Sequence, residues 1–363
     1  VRIAGQQLQT ISFDEERKEV KIIDQTRLPH VLDIVTLSSL SDAEHAIRCM
    51  QVRGAPLIGV TAAYGIYLAM KEDPAALDVA IERLLATRPT AVNLQWALRS
   101  CEQILQHTAQ EKREVVALLL ARDMEKEDIA ICARIGEHGA DLLQAIWDKE
   151  CKASNRALNV LTHCNAGALA TVDWGTALAC IYKASERGIP LHVWVDETRP
   201  RNQGAALTCW ELGQQEIEHT LIVDNAGGHL MQQGQVDVCV VGSDRTTSNG
   251  DVCNKIGTYL KALSANDNDI PFYVALPVST IDFDLASGAE IPIEERAADE
   301  VTQLCGVDDE GLEQQVRIAP KTVRAGNPGF DVTPARLVSA LITEHGVFEA
   351  NEESLHELRS SLS

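Results

Sequence analysis

ALNVLTHC at 157–164 is a short apolar run that ends in polar, reactive groups, and it decides how the second half of the chain folds. Four more runs repeat its form: LHVWVDE (191–197), TLIVDN (220–225), VDVCVVGSD (236–244) and PFYVALP (271–277). Helical stretches such as ALATVDWGTALACIYKASERG (168–188) lie between them. Strand alternating with helix predicts a parallel sheet covered on both faces, and near-continuous apolar strands fit that burial. Such sheets bind ligands at the C-terminal ends of their strands. Polar groups gather at those ends here: Cys164-Asn165, then Asp196 to Arg199, then Asp224-Asn225, then Ser243 to Arg245. The pattern reads as the rim of an active site, although loops are polar for general reasons too.

Upstream the character changes. EVKIIDQTRL (19–28) alternates as a strand does, Ser41 and Glu44 fit a capping box for a helix through Met50, and RGAP (53–56) interrupts before the apolar LIGVTAAYGIYLAM. Residues 74–86, 93–107 and about 112–147 carry helical periodicity. The expected architecture is α/β: a smaller, mainly helical N-terminal domain (1–152) that begins with short β strands, and a Rossmann-like parallel-sheet domain (153–363). The polar KASNR segment separates them, and the tail after about 350 is expected to be peripheral.

Composition narrows the functional class. The 363 residues exceed the ~100–200 of one ordinary domain. No apolar run approaches the roughly 18–20 residues that cross a bilayer, and residues 1–20 lack a signal-peptide layout, so a cytoplasmic location is expected. Ten cysteines without a CxxC pair fit a reducing compartment. A net charge of −21 opposes a nucleic-acid backbone but leaves room for a local anion site built from arginines and helix N-termini. There is no GxGxxG, HExxH or GxSxG motif, so neither a dinucleotide cofactor nor a bound metal is expected.

Three segments carry candidate chemistry. HCNAGALAT (163–171) reads as a strand end opening a helix, a setting that favours a Cys164 thiolate; a buried inert thiol is the alternative. DETRPRNQGA (196–205) supplies Arg199, Arg201 and Gln203 to grip phosphate or hydroxyls, or forms a solvated ion-paired loop. GSDRTTSNGDVCNKIGTY (242–259) places Asp244 at the mouth of a dry site, where a carboxyl can stay protonated and act as an acid. An N-cap or a pair with Arg245 is the alternative. Asn254 and Lys255 would open the next helix. Arg53 lies in the break at 53–56, and Arg88 precedes a helix whose cap region includes Thr90.

Together VRGAPLIGV, TRPTAVNLQWA, THCNAGALAT, DETRPRNQGA, GSDR…NGDVCNKIGTY, PFYVALPVSTID and IPIEER resemble the 5-methylthioribose-1-phosphate isomerases of methionine salvage. The superfamily also holds translation-initiation exchange-factor regulatory subunits and isomerases of ribose 1,5-bisphosphate and 5-deoxyribose 1-phosphate. The resemblance implies Cys164 and Asp244 as catalytic residues. It implies substrate contacts from Arg53, Gly54, Ala55, Arg88, Gln203, Asn254 and Lys255. It further implies a homodimer acting on a small phosphorylated sugar without a cofactor. GSDR replaces the commoner GADR, Cys253 stands where alanine is usual, and DNAGG (224–228) replaces DNMAA. These departures bear on the 5-substituent, so 5-deoxyribose 1-phosphate stays open as a substrate. A non-catalytic sugar-phosphate or nucleotide-binding subunit is the reading from another class.

Overall fold

The computed structural model describes residues 2, 3, 5–88 and 91–362. Strands β1 (Arg2–Ile3) and β2 (Gln6–Gln7) pair near the N-terminus. An antiparallel sheet of β3 (Ile11–Asp14), β4 (Glu19–Ile23) and β5 (Ile34–Leu37) follows. Next come α1 (Leu40–Arg48), α2 (Ala55–Glu72), α3 (Leu77–Leu85), α4 (Val92–Leu105) and α5 (Arg113–Ile146). The capping box lies two residues earlier than expected: Ser39 caps α1 and Asp42 closes the box, while Glu44 is drawn into ion pairs with Arg48 and Arg83. α2 is apolar all round, and accordingly Leu57 through Met70 are buried as the centre of the first core. Thr90, expected near the cap of α4, lies outside the described residues.

The second half contains β6 (Leu158–Thr162), α6 (Ala177–Glu186), β7 (Leu191–Asp196), α7 (Cys209–Gln214), β8 (His219–Ile222), α8 (Ala226–Gln232) and β9 (Val238–Val241). It continues with β10 (Arg245–Thr247), β11 (Val252–Lys255), α9 (Thr258–Asp267), β12 (Phe272–Ala275), β13 (Ile281–Asp282) and α10 (Asp299–Thr302). The last elements are β14 (Gln303–Val307), β15 (Glu313–Arg317), β16 (Phe330–Thr333), β17 (Ala340–Thr343), β18 (Gly346–Phe348) and α11 (Glu352–Ser361).

Seven strands form the main sheet in the order β18-β17-β12-β9-β6-β7-β8, with only β18 antiparallel to its neighbour. Alternation explains its two-sided burial. Val238 and Val240 of β9 enter one core with α5 and α6, and Cys239 and Val241 enter another with α9 and α11. The tail therefore is not peripheral, because Leu355 and Leu358 of α11 are buried in that second core.

The chain steps from β6 to β7 to β8 and then returns to the other flank of β6 with β9. The topological switch point thus falls between β6 and β9, where a doubly wound sheet opens a crevice for ligands. A smaller sheet, β13-β10-β11-β16, grows from the segment just beyond β9. α5 joins the halves: Ala117 and Ala121 belong to the first core, and Ile135, Ala140 and Leu143 to the sheet core. We propose units of 1–152 and 153–363, with α5 as a strut common to both cores.

Candidate active site

Two strand ends meet at the switch point. β6 delivers His163, Cys164 and Asn165, and β9 delivers Gly242, Ser243 and Asp244. A cavity there is lined by Arg53, Gly54, Ala55, Arg88, Cys164, Gln203, Asp244, Asn254 and Lys255, so the structure brings together the nine residues that the family resemblance implies. The first four come from the N-terminal half, and the cavity lies in the seam between the two halves of the chain.

The seam is closed by polar contacts to the loop after β6. Thr10 Oγ1 donates to the Ala168 carbonyl at 2.8 Å, and Gln25 Nε2 donates to the Leu169 carbonyl at 2.7 Å. Gly54 caps α2 at φ 97°, and a Cβ there would stand 2.3 Å from the Ala170 carbonyl oxygen. Only glycine fits both the backbone conformation and the approach. Among the described residues no side chain caps α2, so its N-terminal amides and helix dipole are left for an anion beside Gly54 and Ala55.

Arg53 is buried. Its guanidinium donates to the Asn165 carbonyl oxygen at 3.1 and 3.2 Å and to the Asn165 side-chain oxygen. Its Nε is buried without a hydrogen-bond partner among the described residues, and so is Gln203 Oε1. A stranded donor and a stranded acceptor on residues of one cavity are what a polar ligand would satisfy. Burial pulls the Arg53 guanidinium below its ordinary value, opposed by charge at Cys164, Glu211 and Asp244. Arg88 stands 3.6 Å from Glu294, and Lys255 Nζ donates to the Gly329 carbonyl at 2.9 Å with its ammonium 4.7 Å from the centre of the Phe330 ring.

The reactive pair has a definite electrostatic setting. Burial pushes the Asp244 carboxyl above its ordinary value, against the pull of Lys255, Arg88 and Arg53. Its alternative partner Arg245 reaches Asp282 at 3.8 Å instead. Burial also pushes the Cys164 thiol up, against Arg53 and Lys255, so the cavity does not favour the expected thiolate. The helix-terminus argument fails because residues 163–171 form a loop with one 3₁₀ turn (Ala168–Ala170), and α6 begins only at Ala177. A bridge between Gly167 and Gly175, with Trp174 and Gly175 at positive φ, bends the chain there. Cys164 itself sits at φ 65°, with its N–H donating to Thr198 Oγ1 and its carbonyl accepting from Thr208 Oγ1.

Two further expectations are corrected. Asn254 and Lys255 end β11 rather than opening a helix, because β11 pairs with the distant β16. Arg199 does not line the cavity, since its guanidinium donates to the carbonyls of Pro200 and Val301; Arg201 does line it and pairs with Glu300 at 3.0 Å.

Sequence reasoning placed Asn165 on the polar rim without a role, and it missed Thr171 and Arg296, which also line the cavity, and the part played by His163. His163 Nδ1 lies 2.8 Å from Asp196 Oδ2 and Nε2 lies 2.8 Å from the Ile256 carbonyl, so the ring ties the ends of β6 and β7 to the loop after Lys255. Ligand atoms of His163, Asp196 and Asp224 lie within 4.8 Å of one another, a spacing compatible with a metal ion. The Lys261 ammonium already fills the cationic position, 3.2 Å from Asp196 and bonded to the Asp224 carbonyl.

Residues 51–350 match the model of the initiation factor 2 subunit family. A methylthioribose-1-phosphate isomerase from Methylorubrum populi is 58% identical over 358 residues, 98% of this chain and 97% of that one. The solved 5-methylthioribose 1-phosphate isomerase of Pyrococcus horikoshii superposes with a TM-score of 0.84 at 36% identity, covering 98% of this chain and 97% of that one. A solved structure described as translation initiation factor eIF-2B, subunit delta, from A. fulgidus gives 0.79 at 38% identity, with 97% and 100% covered. The chain belongs to the initiation factor 2 subunit family and, within it, to the methylthioribose-1-phosphate isomerases.

Proposed function

We propose that the chain is an aldose–ketose isomerase that converts 5-methylthioribose 1-phosphate to 5-methylthioribulose 1-phosphate in methionine salvage. The observation that carries the reading is the union, in one cavity, of a carboxyl that burial pushes above its ordinary value, a thiol and a cluster of cations.

The chemistry asks for these groups. Phosphate on the anomeric oxygen prevents the sugar ring from opening to a free aldehyde. Asp244 gives its proton to the ring oxygen as the bond from C1 to that oxygen breaks. Hydrogen must then pass from C2 to C1. Along an enol phosphate route Cys164, as thiolate, takes the C2 proton and a proton is delivered to C1. Along a direct route the C2 hydrogen moves as hydride and Cys164 keeps its proton, which matches a thiol pushed up by burial. On either route the C2 hydroxyl gives up its proton as the ketone forms, and the carboxylate left on Asp244 is the group in the cavity to take it. Arg53, Arg88, Lys255 and the open end of α2 hold the phosphate. Gln203 and Asn254 hold hydroxyls, and the fixed geometry removes entropy from the barrier. The enzyme works in the cytoplasm as a homodimer and draws its chemistry from these side chains without a cofactor.

Likeness to the A. fulgidus initiation-factor subunit favours one competing reading, a subunit that binds a sugar phosphate without turning it over. Steady-state kinetics on 5-methylthioribose 1-phosphate and 5-deoxyribose 1-phosphate separate the readings. The account expects turnover of the first with a kcat/KM higher by about 10–200-fold, the worth of one apolar group in a pocket. Equal or reversed preference would move the assignment to the 5-deoxy sugar. Binding without turnover of either would support the regulatory reading.

A further inference from the structure

Glu211, on α7, does not line the cavity, yet the loop that builds the cavity is folded around it. Its side chain is buried at 2% exposure. Oε1 accepts from Asn165 Nδ2 at 2.8 Å and from the Leu169 N–H at 3.1 Å; Oε2 accepts from the Ala168 N–H at 2.7 Å and from the Tyr182 hydroxyl at 2.9 Å. The loop lies so close that a Cβ on Gly167 would stand 2.3 Å from Oε2. Four donors converge on a group that, when ionised, only accepts, so a carboxylate meets all of them and an amide cannot. Each of the four bonds favours the ionised form, against the burial that pushes this carboxyl up.

The network leads to Arg53. Asn165 gives its NH₂ to Glu211 and its side-chain oxygen to the guanidinium, and its carbonyl accepts from Arg53 as well. A carboxylate paired directly with Arg53 would fix it but also neutralise it, and would compete with a phosphate for the same fork of donors. An amide between the two charges fixes the guanidinium while leaving its charge for a ligand. The Nε left without a partner accords with that arrangement.

We propose that Glu211, acting through Asn165, is the positioning residue for Arg53, and that it sets the affinity of the cavity for the phosphate of the substrate. The inference rests on the phosphate-binding reading of the cavity.

The test uses the full chain and two readouts: calorimetric titration with inorganic phosphate, and steady-state kinetics. Glu211→Gln raises the Kd for inorganic phosphate and the KM for substrate by the same factor, roughly tenfold, the worth of a hydrogen bond to a charged group. Its kcat stays within about threefold of wild type, because binding common to ground and transition states is what is lost. Asn165→Ala reproduces the change with Glu211 intact. In an Arg53→Ala background, Glu211→Gln adds less than about twofold, as expected of residues acting in series. Should Glu211→Gln fail to fold, Asn165→Ala and Tyr182→Phe carry the test, the second with a smaller change in the same direction. A fall in kcat with Kd and KM unchanged, or factors that multiply with those of Arg53→Ala, would overturn the assignment. Wild-type protein that binds phosphate without turnover would overturn the isomerase reading alone; turnover with phosphate affinity indifferent to Glu211 and Asn165 would overturn this inference alone.

Discussion

Asp128 on α5 should be replaceable by asparagine with a gain in stability that grows with pH. Its carboxylate accepts from the Val172 N–H at 2.7 Å, at the loop that closes the seam between the two halves of the chain. It is 9% exposed, and burial pushes it up to about 7 from an ordinary 3.8, with nearby Asp173 pushing the same way and the Val172 bond opposing. Cys132 faces it from the same helix, Sγ 4.0 Å from Oδ1. Between about pH 4 and 7 the folded protein holds a proton that the unfolded chain has released. Stability therefore falls as pH rises, and the loss is complete above the folded pKa. A gap of about three units, at 1.36 kcal/mol each, amounts to about 4 kcal/mol, an appreciable share of the ~5–15 kcal/mol that holds a domain folded. Asparagine keeps the acceptor for Val172 and cannot ionise. Urea unfolding of wild type and Asp128→Asn, followed by circular dichroism from pH 5 to 8, should show the difference widening by about 1.4 kcal/mol per unit and flattening above pH 7. A difference that stays level across this range, or a variant less stable than wild type at pH 8, would refute the reasoning.

Other expectations follow from the same contacts. Gly54→Ala combines a left-handed φ with a Cβ 2.3 Å from the Ala170 carbonyl oxygen and 2.6 Å from its Cα, backbone atoms that cannot swing away. Strain and overlap together should cost about 2–5 kcal/mol and raise KM, read by urea unfolding and steady-state kinetics. Asp244→Asn should lower kcat by about 10²–10⁴ with KM little changed. Because Asp244 is held above the ordinary carboxylate range and must be protonated to act, wild-type kcat/KM should fall as pH rises through its folded pKa, and the variant should lack that limb. With C2-deuterated substrate, deuterium retained at C1 identifies the hydride route, and solvent hydrogen at C1 identifies the enol phosphate.

The sheet was legible because its strands are apolar on both faces, so VDVCVVGSD announced β9 and the position of Asp244 without any tertiary information. Strand ends with reactive groups also marked the site, since chain order fixes which residues leave a parallel strand at its C-terminal end. What failed was non-local. Residues 163–171 have the composition of a helix start, but the Gly167–Gly175 bridge and the close approach of Gly54 to Ala170 hold them as a loop. Asn254 and Lys255 became strand residues because β16, far along the chain, supplied the partner. Arg199 and Arg201 are alike in sequence, and only the carbonyl of Val301 and the carboxylate of Glu300 separate their roles. Glu211 carries no local signal, since its meaning lies in four donors from elsewhere in the chain.

The most direct test of the account is an NMR time course of the purified protein with 5-methylthioribose 1-phosphate, run beside Cys164→Ser and Asp244→Asn. The account predicts that the anomeric signal of the substrate decays and a C2 ketone resonance grows with wild type, and that neither variant produces ketone at a comparable rate. Wild-type protein that leaves the anomeric signal unchanged, or variants that form ketone as fast as wild type, would contradict it.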